Sequence, residues 1–417
     1  MSAGPVRGRL ASEKTVSLPP KDGRETWVLV LGLALGSLTL VGCQNHDFPE
    51  YPANYREYAY VTNGGSDTVS VFDVVNVRLD RVIPVGQNPT GATANPKRNE
   101  VYVVNSGAAP ANGTSGTNGS VSVIDAEKNA VVATIPVHRQ PYFLEVDPAG
   151  DLAYVANSGS NSVSVIDLKA RREIAVAGTG EGPGMARISP DGKTLVVTNR
   201  LGNSVSIFDA GGREALRARK VIEGCPGATD TVILPDSTKA FVACSSGHQI
   251  MAIALARPAG AGVQARPDAL EALLDVGRAP VHLALKPDGG ELFVSNFDSD
   301  SISEVVTGTD EVGGAYLMGS HPVRGLVSAD NSLLYESNFR SQELSVYSID
   351  DSKRIAAIHV GDGPDALAFS ATGNLLFAVD ARSGDVAVIR TSNGSLFTLL
   401  PTGRQPNAIA EKAFRLQ

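Results

Sequence analysis

The chain has 417 residues, with 36 Lys and Arg against 44 Asp and Glu, which gives a formal net charge of −8 at pH 7. This modest acidity argues against a general nucleic-acid binder, because such proteins need a basic face for the phosphate backbone. The only Trp is at position 27 and no Cys-x-x-Cys-His motif occurs, which excludes blades built on a Trp-Asp dipeptide and covalently attached haem.

The first 42 residues are predicted to be an export signal. Lys21 and Arg24 precede a short apolar run over residues 27–40, and a spanning helix would need roughly 20 apolar residues. A basic flank, a short apolar core and small residues before a cleavage point are typical of export signals. The alternative is a membrane-anchoring helix with an incidental cysteine at Cys43.

The end of this signal, Leu-Val-Gly-Cys, resembles a bacterial lipobox, and the resemblance implies lipidation of Cys43. Gln44, in place of Asp, resembles the residue that directs Gram-negative lipoproteins to the outer membrane. Residues 43–57 are therefore predicted to be a lipidated tether, and residues 58–417 the folded domain. The protein is expected on the periplasmic or surface side of the outer membrane.

A four-residue pattern, aromatic or aliphatic first and usually Asn last, recurs eight times in residues 58–417. Its copies begin at Tyr60, Tyr102, Tyr154, Val196, Phe241, Phe293, Tyr335 and Phe377. Successive copies are 42 to 52 residues apart. A period in the low forties that contains only strand-like runs is typical of β-propeller blades.

One unit, residues 141–182, shows how a blade is predicted to form. Residues 142–146, 152–156, 163–166 and 174–176 are short apolar strands, separated by turns such as the Asp-Pro-Ala-Gly-Asp of residues 147–151. Pro fixes φ and Gly accepts positive φ in such turns. Short apolar runs suit strands that are covered on both faces, as they are in a blade between two neighbours.

These repeats resemble the YVTN-family propellers of bacterial and archaeal surface proteins. The resemblance covers residues 58–412 and implies an all-β fold, a β-propeller, and the eight copies of the pattern predict eight four-stranded antiparallel blades. Seven blades are commoner in the family. The first unit starts at its second strand, near Tyr60, and the chain ends with a surplus inner strand at residues 406–410, so the C-terminal strand is predicted to pair with blade one and close the ring.

The loop before each inner strand carries a proline, and antiparallel alternation places all eight at one rim. A narrow channel needs small residues near these prolines, and several units have larger side chains there instead. These larger side chains are the predicted ligand-binding residues of the channel mouth: His138, Arg139, Tyr142, Phe143, Met185, Arg278, His282, His321, Arg324 and Arg404. Cationic and aromatic groups on an acidic protein favour an anionic or aromatic ligand or an acidic partner loop. The alternative is ordinary interblade hydrogen bonds and solvated charges.

Two further sets of residues are interpreted as structural. Glu145 and Arg187 come from adjacent blades and are expected to pair, with Asp230 nearby, and such a pair more often fixes register than catalyses. The repeated Asn residues, such as Asn63 and Asn105, are interpreted as turn formers because Asn side chains bond local backbone.

Blade five has two cysteines at one rim: Cys225 is in its proline loop and Cys244 replaces the usual Asn. An exported compartment permits disulfides, so a Cys225–Cys244 bond is predicted. The alternatives are two free thiols, or a metal pair with His248 or His282.

Two functions from different classes remain open. The favoured one is a non-catalytic binding scaffold for a protein, a cell-wall polymer or a small anionic ligand, a monomer with no metal, cofactor or nucleic acid; it fits the lack of nucleophile-elbow, zinc, phosphate-loop or triad spacing. The other is a periplasmic enzyme or redox protein, since the fold resembles that of lactonases, amine dehydrogenases and the haem d1 domain of nitrite reductases. His138, His282 or His321 would then be a base or an axial ligand, and Arg139, Arg278 or Arg324 would hold carboxylates.

Overall fold

The computed structural model describes residues 49–108, 116–211, 216–256 and 265–416. The predicted signal and the lipidation site at Cys43 lie outside these ranges. Within them, eight four-stranded antiparallel sheets are arranged as the blades of a ring, as predicted. No helix of the described residues is long and apolar enough to cross a membrane.

The strands follow one another in a regular series, four to a blade. Those of the first half are β1 (Tyr55–Asn63), β2 (Thr68–Asp73), β3 (Arg78–Pro84), β4 (Pro89–Ala94), β5 (Glu100–Asn105), β6 (Asn118–Asp125), β7 (Ala130–Arg139), β8 (Pro141–Val146), β9 (Leu152–Asn157), β10 (Ser162–Asp167), β11 (Arg172–Gly178), β12 (Pro183–Ile188), β13 (Thr194–Asn199), β14 (Ser204–Asp209), β15 (Arg217–Glu223) and β16 (Ala228–Ile233). Those of the second half are β17 (Lys239–Cys244), β18 (Gln249–Ala254), β19 (Ala269–Asp275), β20 (Pro280–Leu285), β21 (Glu291–Asn296), β22 (Ser301–Val306), β23 (Glu311–Leu317), β24 (Pro322–Val327), β25 (Leu333–Asn338), β26 (Glu343–Ser348), β27 (Lys353–His359), β28 (Pro364–Phe369), β29 (Leu375–Asp380), β30 (Asp385–Arg390), β31 (Ser395–Pro401) and β32 (Pro406–Arg415). Two 3-10 turns, Ser158–Ser160 and Phe297–Ser299, follow β9 and β21.

Burial falls from the second strand of each blade to the outer strand. All six residues of β9, β13 and β29 are buried, whereas on β27 only Ile358 is buried. The apolar core lies between the blades, where the faces of adjacent sheets meet: Val61 of blade one packs with Phe377 of blade eight. Residues 269–273, an Ala-Leu-Glu-Ala-Leu run of strong helix formers, are part of the outer strand β19, so tertiary packing overrides local propensity here.

The ring closes as predicted, because the C-terminal strand completes blade one. Strand β32 pairs antiparallel with β1 from Tyr55↔Arg415 to Asn63↔Pro406, and Tyr60 is opposite Ala410. β1 begins at Tyr55, three residues before the predicted start of the domain, because the long β32 extends the pairing. The edge of blade one is therefore covered on its channel side.

Contacts from this seam reach both neighbouring blades. The Asn407 side chain donates a hydrogen bond to the Pro89 carbonyl at 2.9 Å, and Lys412 Nζ donates to the Asn95 carbonyl at 2.7 Å, both in blade two. On the other side, the Glu57 carboxylate accepts from the Ala371 backbone N–H of blade eight at 2.7 Å. The seam thus joins three blades.

The repeated Asn residues bond backbone groups, as predicted, in some blades, and they also bond across the blade. Asn338 donates to the Glu343 carbonyl at 3.3 Å, and Asn105 Nδ2 donates to the third-strand hydroxyls of Ser120 and Ser122 at 3.1 and 3.0 Å. The Gly of the preceding loop lies against this amide, and a Cβ at Gly86 would be 2.6 Å from the Asn105 side chain. These Asn, Ser and Gly residues therefore fix the corner of the blade.

Cys225 and Cys244 form a disulfide in the structure, with Cα atoms 4.8 Å apart and both residues fully buried. Cys244 is at the Asn position of blade five, so the covalent bond replaces the Asn–Ser hydrogen bonds of that corner. Closing a loop of 19 residues in sequence separation stabilises by about 3 kcal/mol in the chain-entropy model.

Deletion of residues 404–417 tests the closure. It removes the pairing partner of β1 and the contacts to blades two and eight, so we expect a loss of several kcal/mol and a melting temperature lower by about 10 °C or more. Thermal unfolding followed by circular dichroism measures this. A chain that lacks only Gln417 is the control, and equal melting of the two truncations would contradict the structural role of the seam.

Candidate functional site

All eight proline corners lie at one rim, hereafter the proline face. The register pairs each corner with the Asn position of the same blade, as in Pro89↔Asn105 and Pro322↔Asn338. Several residues immediately before the prolines have positive φ, including His321 at 57°. Such a backbone is uncommon for a residue with a side chain, so the surrounding corner hydrogen bonds hold His321 in place.

Of six predicted residues, five lie in corner turns or on the outer strand β7 and interact locally, and Tyr142 lies at the start of the inner strand β8. His138 Nε2 is 3.4 Å from Glu173, the Arg278 guanidinium donates to the Asp298 carbonyl at 2.7 Å, and His321 stacks edge-on against Phe297 with centroids 4.5 Å apart. The backbone N–H groups of Arg139 and Arg404 donate to Ser160 and Ser66, and the side chain of Tyr142 is exposed. These six residues are not brought together around the channel.

The other four predicted residues, Phe143, Met185, His282 and Arg324, lie on inner strands. These strands surround the channel, and six consecutive ones, β8, β12, β16, β20, β24 and β28, carry charged or titratable side chains. We call this set the channel ring: Glu145, Arg187, Asp230, His282, Arg324 and Asp365. Of these residues, His282 and Arg324 were predicted to bind a ligand, and Glu145, Arg187 and Asp230 were interpreted as structural. Asp365 was not singled out from the sequence.

Glu145 and Arg187 form the expected pair between blades three and four. Arg187 Nη1 is 2.7 Å from Glu145 Oε2, and the guanidinium lies 4.6 Å from the Phe143 ring centroid. Burial raises the pKa of Glu145, and the positive charge of Arg187 opposes this shift. Each charge therefore has its partner, and this part of the ring is a register contact.

His282 and Asp230 are neighbours, and each accepts a hydrogen bond from a backbone N–H group. His282 Nε2 is 3.7 Å from Asp230 Oδ2, which also accepts from the Leu283 N–H at 3.0 Å. The Gly325 N–H donates to His282 Nδ1 at 3.2 Å. Burial, reinforced by the positive charge of Arg324, lowers the pKa of His282 to about 3 despite Asp230. The imidazole is therefore neutral near pH 7, with Nδ1 accepting and the proton on Nε2.

Glu336, on the second strand of blade seven, adds a buried acid beside the channel ring. Its side chain fits because the neighbour on β24 is Gly325, where a Cβ would be 2.8 Å from the carboxylate. Burial raises the pKa of Glu336 to about 8, although the Ser295 hydroxyl and the Arg324 guanidinium both act to lower it. Burial also raises the pKa of Asp365, again opposed by Arg324.

The environment of Arg324 contains several unsatisfied polar atoms. Among the described residues, Arg324 makes no ion pair within 4.0 Å, and its buried Nε lacks a hydrogen-bond partner. Both Glu336 oxygens and the Ser295 hydroxyl also lack a hydrogen bond of normal geometry. Buried polar atoms are usually paired, so this cluster differs from the hydrogen-bonded Glu145–Arg187 pair.

A cavity of about 1010 Å³ lies on the opposite face between blades four and five. Its basic side chains have acidic partners: Arg219 is 2.7 Å from Asp268, and Lys239 is 2.7 Å from Asp310. This cavity therefore presents, among its described residues, no cation that lacks a partner. Within the described residues, no three His, Cys, Asp or Glu side chains are grouped to hold a metal ion.

Sequence reasoning missed Glu336 and Asp365. Glu336 had a visible signal, because it occupies the second place of the repeat, where the other copies have Val61, Val103, Val155, Val197, Val242, Val294 and Ala378. Asp365 is one residue after its corner proline, whereas residues such as His282 and Arg324 are two residues after theirs. Both departures are in blades seven and eight, next to Arg324.

Comparisons with known proteins establish the fold. No family model and no curated protein matches the chain. Solved structures that resemble it include the dihydro-haem d1 dehydrogenase NirN in complex with DHE, at 15% identity and a TM-score of 0.69 over 87% of this chain and 76% of that one. Apo AztD from Citrobacter koseri has 12% identity and a TM-score of 0.62, over 86% and 98% of the chains. The periplasmic gluconolactonase PpgL from Pseudomonas aeruginosa has 17% and 0.56, over 86% and 98%.

The raised pKa of Glu336 predicts a pH dependence of stability. A carboxyl with a folded-state pKa of about 8, against about 4.5 in the unfolded chain, favours folding below pH 4.5, and this contribution is lost as pH rises through 8. We expect the melting temperature to fall between pH 5 and 9, and to fall less in Glu336→Gln. Asp380 and Glu411, whose pKa values burial also raises to about 8, keep part of the dependence. Exposed Glu223→Gln is the control, and parallel profiles for Glu336→Gln and the native protein would contradict the assignment.

Proposed function

We propose that this protein is an exported, lipid-anchored propeller that binds a ligand non-catalytically in its channel, from the proline face. The observation that carries the proposal is the channel ring, in which six consecutive blades each place a charged or titratable group on the inner strand. Such groups in a concave site select polar ligands. A protein partner or cell-wall polymer would engage the same mouth through a polar group.

The hydrogen bonds of the ring favour binding over acid–base catalysis. A general base needs a free lone pair within reach of substrate. Both nitrogens of His282 face protein groups, and Asp230 accepts from two backbone N–H groups, those of Thr231 and Leu283. Glu145 is paired with Arg187. The three most evident candidates for proton transfer are thus occupied.

One observation favours a second candidate function, a lactone-hydrolysing or other extracytoplasmic enzyme. Glu336 is a carboxyl with a pKa of about 8, and a neutral acid at pH 7 is suited to donate a proton. PpgL, which has the same fold, is described as a periplasmic gluconolactonase. Glu336 is fully buried, however, so its proton has no direct path to a substrate in the channel.

Export and anchoring rest on the residues around Cys43 and on the periplasmic location of PpgL. We expect the full-length chain to fractionate with membranes and to be extracted by detergent, because an acylated cysteine is a lipid anchor. Cys43→Ala should move the protein to the soluble fraction or leave the signal uncleaved, as judged by fractionation and intact mass. Cys43→Ala that remains detergent-extractable at the processed mass would contradict the anchor.

Absence of turnover is the expected outcome of an enzyme assay. We expect hydrolysis of D-glucono-1,5-lactone at the buffer rate, and a purified protein with no visible absorption band, since Glu145, Asp230 and His282 already have protein partners and the described residues hold no grouped metal ligands. Acid release followed by a pH indicator measures the first. Saturable hydrolysis that Glu336→Gln abolishes and Glu223→Gln keeps would establish the enzyme instead.

A further inference from the structure

We propose that Arg324 binds a carboxylate group of a ligand that enters the channel from the proline face, and that Glu336 competes with this ligand for the guanidinium. The inference rests on the proposed binding function and specifies its ligand chemistry. It follows from the position of Arg324, from the lack of a bonded partner, and from the groups that surround it.

The position of Arg324 is accessible from the mouth. Arg324 is two residues beyond the corner Pro322, on the innermost strand β24, which pairs with β25 alone and borders the channel with its other edge. The residue is partly exposed, whereas Glu336 is fully buried. A ligand group therefore reaches Arg324 before it reaches any buried acid.

The bonding of Arg324 differs from that of Arg187, the other arginine of the channel ring. Arg187 is 2.7 Å from the Glu145 carboxylate. Arg324 has no such contact within the described residues, and its Nε is buried without a partner. A guanidinium presents planar, paired N–H donors that match the two oxygens of a carboxylate. A carboxylate, the group that Arg187 already binds, is therefore the ligand group that suits Arg324.

Four elements present groups to Arg324. Glu336 comes from β25, Asp365 from β28 and His282 from β20, and all three interact with it electrostatically. The Ser295 hydroxyl on β21 is next to the Glu336 carboxyl and lowers its pKa, whereas the Ser337 hydroxyl donates to the Asp365 carbonyl at 2.9 Å. His282 is neutral near pH 7 and adds no charge, so the two acids decide how much of the positive charge remains for a ligand.

Protonation of Glu336 keeps Arg324 available. Below the Glu336 pKa of about 8 this carboxyl is neutral and leaves the guanidinium uncompensated. Above it, the ionised carboxylate lies beside the same cation and competes with the ligand. Burial also raises the pKa of Asp365, which acts in the same direction. The affinity for a carboxylate should therefore fall as pH rises through 8.

Titration with two probes tests the site on the mature protein. The probes are sodium propionate, a free carboxylate, and the blocked peptide acetyl-Ala-Glu-Ala-amide, a carboxylate on a side chain; propionamide is the uncharged control. The signals of arginine Nε–H groups in ¹⁵N-labelled protein report binding at the guanidinium itself. Saturable shifts with either probe and none with propionamide support the proposal, and the probe that binds more tightly identifies the source of the carboxylate.

Matched variants place the binding. We expect Arg324→Gln to weaken binding roughly 10- to 100-fold, the loss typical of a charge-assisted hydrogen bond. Arg324→Lys, which keeps the charge and loses the fork, should weaken it less. Arg278→Gln removes another arginine of the proline face, one bonded within its own blade, and should bind as the native protein does. Equal affinity of Arg324→Gln and Arg278→Gln, with both folded as judged by melting, overturns the site.

The pH profile separates the two parts of the proposal. Native affinity should fall several-fold or more from pH 7 to 9, and Glu336→Gln should remove most of this fall. An unchanged profile in Glu336→Gln overturns the competition. If neither carboxylate binds while an uncharged or cationic probe gives shifts confined to the channel, the carboxylate inference fails and the binding function stands. If nothing binds in the channel, both fail.

Discussion

Pairing of β32 with β1 is the constraint on which the rest of the structure depends. A propeller blade has two apolar faces, and each needs a neighbouring blade to cover it. The chain supplies this for blade one only by returning its last strand to its first, opposite Tyr60. Once the ring is closed, the inner strands must surround a common axis. Residues that are about 40 positions apart in sequence, such as Glu145 and Arg187, then become side-by-side neighbours.

Packing explains the residues that the repeats share. Residues that differ between the repeats are therefore the candidates for function. The Asn side chain, the hydroxyls of the third strand and the loop glycine form one interlocked corner in most blades, and in blade five a disulfide takes the place of that corner. The Asn side chains are buried in these corners. The residues of the channel ring lie on the inner strands of blades three to eight, so these departures are spread over six of the eight blades.

Sequence periodicity was sufficient to predict the blades, the closure and the common rim of the prolines, because each follows from strand alternation repeated eight times. It was insufficient for the site. His138 and Arg278 share the rim with His282, but they lie on an outer strand and in a corner turn, and the sequence does not encode distance from the axis in any simple way. Glu336 was missed because its burial depends on the absent side chain of Gly325, on the neighbouring strand, and on Ser295 in the next blade. These contacts exist only after the blades are packed.

Burial dominates the titration of the groups around Arg324, and this determines the charge of the channel. It raises the pKa values of Glu336 and Asp365 and lowers that of His282, so each group is driven toward its neutral form. An arginine cannot respond in this way, since a guanidinium remains protonated at any physiological pH. Arg324 is therefore the charged residue of this cluster that lacks a counter-ion among the described residues. Ionisation of Glu336 would provide one, but it would also place a second charge in the core. An incoming carboxylate, which carries its charge from the partly exposed side, provides a counter-ion without placing another charge in the core.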